Sequence, residues 1–118
     1  RDAAVIAVEA VDLQIGRLMA AVEAAKGVLF VTADHGNADE MYMWDKKAKD
    51  FAKNPDGRPT AKTSHTLSPV PLYLYDPTGK LTLEGSEDAG LTNLAATTLE
   101  ALGFAPPADY RASLLRLA

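Results

Sequence analysis

The sequence predicts an α/β fold in which a partial sheet carries flanking helices, and three observations point to it. Apolar residues recur at helical spacing over the first 25 positions, two short apolar runs read as strands, and the order is helix, strand, loop, strand, helix. Two strands are few for such a sheet, since sheets average about five or six. The chain also opens at Arg1 directly on helical sequence. Together these features predict that residues 1–118 are a piece of a larger domain.

Val5, Val8, Val11, Ile15, Leu18 and Val22 recur every three or four positions and mark one face of an amphipathic helix from Asp2 to Ala25. Asp2 and Glu9 lie toward its positive end, and Lys26-Gly27 stops it, with Gly27 as the expected cap. Such a stripe predicts a helix packed on the core. Val28-Leu29-Phe30-Val31 is continuous rather than alternating, the pattern of a strand covered on both faces in a parallel sheet. It stops at Thr32-Ala33-Asp34-His35-Gly36-Asn37.

Residues 45–62, DKKAKDFAKNPDGRPTAK, hold 6 of the 12 basic residues and show no apolar period. Asn54-Pro55-Asp56-Gly57 and Pro59 are turn signals, so this stretch reads as a solvated surface loop, with anion steering as the functional alternative. Val70 to Tyr75 reads as a second strand, and Pro71, which lacks a donor, belongs at its beginning or on an edge. Asp76-Pro77-Thr78-Gly79 turns the chain, and Lys80 to Gly90 is a polar connection with room for a short strand at Leu81-Thr82-Leu83. A second helix is expected from Asn93 to Leu102, capped by Thr92 or Asn93 and stopped by Gly103. Pro106-Pro107 forbids its continuation and leaves a tail whose Leu114, Leu115 and Leu117 must dock on something.

The composition bounds the function. With 118 residues, 47% hydrophobic, 24% charged and a net charge of -4, the chain supports one small core. There is no run of 18 apolar residues and no charged segment leading a short apolar one, so neither a membrane span nor a secretory signal is expected, and the cytoplasm is the expected compartment. The absence of Cys excludes disulfides and thiolate metal sites, leaving imidazole and carboxylate as ligands. The acidic balance argues against nucleic acid.

The chemistry sits where the first strand ends. Ligands of open α/β sheets bind at the carboxyl ends of strands, and there Asp34 precedes His35 and a Gly36 that permits a turn. A carboxylate beside an imidazole suits a divalent cation of the manganese, zinc or cobalt type; an Asp that merely caps a turn is the plain alternative. The other histidine, His65, also stands in a polar turn before a strand, and a shared cation would account for both. Asp39 and Glu40 are nearby carboxylates that read equally well as the acidic first turn of a following segment. Trp44, Tyr42 and Met41 read as a loop anchor on the core, or as a substrate platform. Ser64, Ser68, Ser86 and Ser113 lie in no nucleophile elbow, and neither a dinucleotide nor a P-loop fingerprint occurs. No catalytic or organic-cofactor-binding residue is therefore predicted within the chain.

Thr32-Ala33-Asp34-His35-Gly36-Asn37, followed by Ala38-Asp39-Glu40-Met41 and by Thr63-Ser64-His65-Thr66 running into Pro69-Val70-Pro71, resembles the C-terminal part of the cofactor-independent phosphoglycerate mutases. These belong to the alkaline phosphatase superfamily. Ala7-Val8-Glu9-Ala10-Val11-Asp12 with Gly16-Arg17-Leu18, and Gly90-Leu91-Thr92-Asn93-Leu94-Ala95-Ala96-Thr97 through Leu102-Gly103, extend the resemblance over essentially the whole chain. It implies a C-terminal piece of an alkaline-phosphatase-like phosphatase domain, with two divalent cations per full-length enzyme. Manganese is the usual metal, with magnesium, cobalt or zinc as alternatives. It implies a phosphoglycerate substrate whose phosphoryl group passes through a serine. Asp34 and His35 would bind the metal that contacts the serine, and His65 the other. The remaining ligands and the serine would lie upstream of Arg1, so the 118 residues alone are expected to be inactive and, with uncovered apolar surface, prone to self-associate. Residues 45–62 lengthen the gap between His35 and His65 and read as a lineage-specific loop. A phosphopentomutase or phosphatase of the same superfamily, or a non-catalytic α/β binding module, are the alternatives.

Overall fold

A computed structural model describes residues 2–85 and 87–118; Ser86, excluded above as a nucleophile from sequence, lies outside the described residues. Helix α1 (Asp2–Ala24) is followed by strands β1 (Leu29–Thr32), β2 (Trp44–Asp45), β3 (Asp50–Phe51), β4 (Leu72–Tyr75) and β5 (Leu81–Leu83). A 3₁₀ turn (Leu91–Asn93), helix α2 (Leu94–Ala101) and strand β6 (Leu115–Leu117) complete the described elements. The sheets are small pairs, β1 with β4, β2 with β3, and β5 with β6. The chain forms two compact units: α1 through Leu13 with Thr32–Pro71, and Gln14–Val31 with Leu72–Ala118.

Helix α1 ends close to the expected place by a different device. Gly27 N–H donates to Val22 O at 2.9 Å and Lys26 N–H to Glu23 O at 3.0 Å, the paired bonds of a Schellman end. The left-handed residue of that end is Lys26, with φ of 55°, and not the expected Gly27. The expected packing of α1 is also corrected, because no residue of the helix is buried. Val5 and Val8 on the predicted face are 44% and 61% exposed, and Ile6 and Leu13, off that face, are each 65% exposed. A helix apolar around its girth suits enclosure on more than one side, which the described residues do not provide. Strand β1 differs in the same sense: Leu29, Phe30 and Val31 are half-buried rather than covered on both faces, in a pair rather than a broad sheet.

In the second unit, Tyr75 of β4 donates its hydroxyl to Glu23 of α1 at 3.3 Å. Desolvation, and then the Glu23 charge, push the Tyr75 phenol above its ordinary range. Strand β4 starts at Leu72, so Pro71 stands just before it, as its missing donor requires. Asp76 then terminates the strand by accepting backbone N–H bonds from Thr78, Lys80 and Leu81 at 2.8 to 2.9 Å. The predicted short strand is β5, and the leucine tail docks on it as β6, antiparallel, with Leu81 opposite Leu117 and Leu83 opposite Leu115. Helix α2 covers this pair with a small core of Ala96, Leu115 and the fully buried Thr97. Thr97 Oγ1 donates to Asn93 O at 2.8 Å and accepts from Leu114 N–H at 3.0 Å. Neither expected cap operates through its side chain at the start of α2; Asn93 instead donates to Ala112 O and accepts from Gly90 N–H.

In the first unit, residues 45–62 are not a featureless loop. Strands β2 and β3 pair antiparallel, Trp44 opposite Phe51, and bridges join Tyr42 to Ala61 and Lys53 to Pro59. Met43 O accepts from Ala52 N–H, while Met43 N–H donates to Thr60 O, so three short segments close on one another. Turn chemistry drives this fold: Asp45 caps Lys47 and Ala48, and Gly57 takes φ of 81° beside Asn54. The aromatic residues anchor this hairpin internally, with Trp44 and Tyr42 edge-on to Phe51 at 5.4 and 5.8 Å, rather than anchoring it on a core.

Candidate metal centre

The candidate site lies within the first unit, where the chain leaves β1. Thr32 Oγ1 donates to Pro71 O at 2.8 Å and fixes the exit. Four residues on, Gly36 is buried and forms an isolated antiparallel bridge with Thr66, whose N–H donates to Gly36 O at 2.9 Å. That bridge brings together two segments far apart in sequence. A Cβ at Gly36 would overlap Thr66 Oγ1 and stand 2.7 Å from Asp39 Oδ1, so the close approach requires glycine.

The residues preceding the two bridge positions are His35 and His65. Their rings stack with centroids 3.6 Å apart and planes 12° from parallel. His35 Nδ1 lies 3.0 Å from Gly36 O. A carbonyl only accepts, so this contact places a proton on Nδ1, and the tautomer that matches it in a neutral ring is the one with the lone pair on Nε2. That Nε2 is 3.5 Å from Asp34 Oδ1, and the Asp34 side chain is 88% exposed. With Nδ1 turned to the carbonyl, Nε2 and the Asp34 carboxylate face each other and are the two donors free to share a cation.

The sequence-predicted site residues are thus brought together pairwise, Asp34 with His35 and His35 with His65. Among the described residues, no group of three or more His, Asp or Glu is placed to hold a single metal ion. The donor chemistry nonetheless fits a metal. Two ligands each about 2.1 Å from an ion in tetrahedral geometry stand about 3.4 Å apart, and Asp34 Oδ1 and His35 Nε2 are 3.5 Å apart.

The neighbouring carboxylates are engaged elsewhere, which corrects their reading as the acidic turn of a following segment. Thr66 Oγ1 donates to Asp39 Oδ2 at 2.8 Å, and Glu40 pairs with Lys62. The hydroxyls of Ser68 and then Thr66 hold the Asp39 carboxyl below its ordinary range, outweighing desolvation. Sequence reasoning missed Thr66 and Asp39 as a linked pair. The available signal was the small polar side chain directly after His65, which is buried here and therefore demands a partner.

A family model described as the metalloenzyme superfamily matches residues 2–106. A probable 2,3-bisphosphoglycerate-independent phosphoglycerate mutase of Leptospira interrogans is 44% identical over 115 residues, covering 97% of this chain and 21% of the relative. The 2,3-bisphosphoglycerate-independent phosphoglycerate mutase of Trypanosoma brucei brucei is 40% identical, with 98% and 21% covered. Among solved structures, a Leishmania mexicana phosphoglycerate mutase crystallised at low cobalt concentration superposes with a TM-score of 0.80 and 43% identity, over 94% of this chain and 21% of its own. The chain therefore spans about a fifth of the length of the relatives it matches.

Proposed function

Because this chain belongs to the metalloenzyme superfamily, we propose that it forms part of a metal-dependent phosphoglycerate mutase, one that interconverts 3-phosphoglycerate and 2-phosphoglycerate through a phosphoserine. The 36–44% identity to enzymes of that name over nearly the whole chain supports the reaction class. The observation that carries the metal role is the stacked histidine pair beside Asp34.

Imidazole lone pairs lie in the ring plane, so two nearly parallel rings cannot converge on one ion. Each would therefore serve an ion of its own, which suits a two-metal site. Asp34 and His35 hold one ion and His65 the second, with manganese the preferred metal and magnesium, cobalt or zinc as substitutes. When bound, such ions neutralise phosphoryl oxygens and lower the pKa of a hydroxyl nucleophile. The chain's own contributions are the Asp34 charge, the Nε2 that the Gly36 carbonyl frees on His35, and the glycine that lets both segments meet. The setting is cytoplasmic and glycolytic, and the substrate is a small phosphorylated acid.

Calorimetric titration with Mn²⁺ tests this reading. The 118-residue chain is expected to bind weakly and to show no isomerisation of 3-phosphoglycerate. A longer chain with the upstream sequence is expected to bind tightly, with His65→Ala lowering affinity by at least about tenfold. Tight binding by the short chain, or tight binding by the longer one that His65→Ala and Asp34→Asn leave unchanged, overturns the ligand assignment.

A further inference from the structure

Two loops must be held in register for His35 and His65 to stack, and one bridge does not do this alone. Gly36 and Thr66 share a single backbone bond, and both flanking stretches are polar and largely exposed. Asp39 supplies the second tie. Its Oδ2 accepts from Thr66 Oγ1 at 2.8 Å across 27 positions of sequence. Ser68 adds its N–H to Thr66 Oγ1 at 3.4 Å. The carboxylate comes from the segment that bears Asp34 and His35, and the Thr66 hydroxyl from the segment that bears His65. A hydrogen bond to a charged acceptor is stronger than a neutral one, and the donor Thr66 is buried, so its hydroxyl has the exposed Asp39 carboxylate as its partner.

We infer that Asp39 is a positioning residue: it clamps Thr66, and through Thr66 sets His65 against His35. Its Oδ2 is taken up by the Thr66 hydroxyl. This inference rests on the metal-site reading for its functional meaning, while the clamp itself is a property of the metal-free chain.

The test is NMR of the metal-free 118-residue chain, reading the cross-peaks between the His35 and His65 ring protons, with those between Trp44 and Phe51 as the internal control for the same unit. Asp39→Ala and Thr66→Val are each expected to abolish the His35–His65 cross-peaks and to leave the Trp44–Phe51 cross-peaks. Thr66→Ser, which keeps the hydroxyl, is expected to retain both. Where Asp39→Ala also loses the Trp44–Phe51 cross-peaks, the near-isosteric Thr66→Val decides. Persistence of the histidine cross-peaks in Thr66→Val overturns the inference, as does their loss in Thr66→Ser. Addition of Mn²⁺ to the wild-type chain then separates the two readings. Paramagnetic broadening of the His35 and His65 ring protons supports the metal role, whereas a clamp that behaves as described without such broadening leaves Asp39 as a loop clamp and overturns its functional part.

Discussion

Gly36→Ala perturbs the one place where the two candidate ligand segments touch. Gly36 is not among the glycines with positive φ, so alanine carries no backbone penalty there and the effect is steric. The new Cβ overlaps Thr66 Oγ1 and stands 2.7 Å from Asp39 Oδ1, against an optimal separation of about 3.5 Å. Thr66 must turn away, which breaks its bond to Asp39, and overpacking of a close contact costs roughly 1–3 kcal/mol. Relieving the clash is what breaks the bond, so the two are one effect and the expected loss is about 1–3 kcal/mol. The assay is urea unfolding followed by Trp44 fluorescence, which reports on the unit that holds the site. In a Thr66→Ala background the overlapping oxygen and the bond are already gone, and Gly36→Ala should cost at least about 1 kcal/mol less. A loss below about 0.5 kcal/mol, or costs that add to within about 0.5 kcal/mol, refutes the steric argument.

Lys26→Gly should stabilise the end of α1 by about 0.5–1 kcal/mol and raise Tm, because a left-handed residue with a Cβ costs about 1–2 kcal/mol, partly offset by the chain entropy of glycine. Thr97→Val should destabilise by about 1–3 kcal/mol and speed exchange of the Leu114 amide, whose acceptor it removes, while Thr97→Ser keeps that amide protected. Stability should fall on acidification. Asp39 is held low by Ser68 and then Thr66, Asp50 by the Lys53 hydrogen bond, and Asp76 by bonds from Thr78, Leu81 and Lys80 that outweigh desolvation. A depressed folded pKa contributes stability that is full above the unfolded value, about 3.9, and is lost as pH drops through the lower folded value. Urea midpoints should therefore be flat from about pH 7 to 5 and decline below about 4; an Asp39→Asn variant with an unchanged acid decline would remove Asp39 from this account.

What the sequence made legible is what short-range rules control. The extent of α1, the Asp76 turn, β5 and the break at Gly103 follow from periodicity and turn residues, and the structure has them within a residue or two. Asp34, His35 and His65 were legible as candidates because both histidines stand in polar turns next to strands. The hairpin at 44–51 was not, because its strands are two residues long and carry no apolar alternation; pairing there is set by capping and by Trp44, Tyr42 and Phe51 meeting edge-on. The choice of Lys26 over Gly27 escaped for a related reason. Both cap positions are local, but the register of the last turn, which decides between them, is set by Val22 and Glu23 carbonyls that composition does not distinguish. Exposure of α1 is a third kind of failure: the stripe at Val5, Val8 and Val11 was read correctly as apolar, but apolarity does not specify what lies against it.

The hairpin also explains how a long gap between two ligand segments is compatible with their close approach. Thirty positions separate Gly36 from Thr66, and closing a flexible loop of that length costs entropy that grows with the logarithm of its length. Residues 41–62 close on themselves: Lys62 N–H donates to Met41 O at 2.9 Å, and Glu40 pairs with Lys62 just outside that bond. Once Met41 and Lys62 are joined, only seven free residues, 37–40 and 63–65, remain between the bridge positions, and closure becomes cheaper by about 1 kcal/mol. The basic stretch therefore behaves as a self-contained insert whose length the site does not feel. What the site does feel is the Glu40–Lys62 closure and the Asp39 clamp one residue before it, which together convert a sequence-distant pair of histidines into a local arrangement.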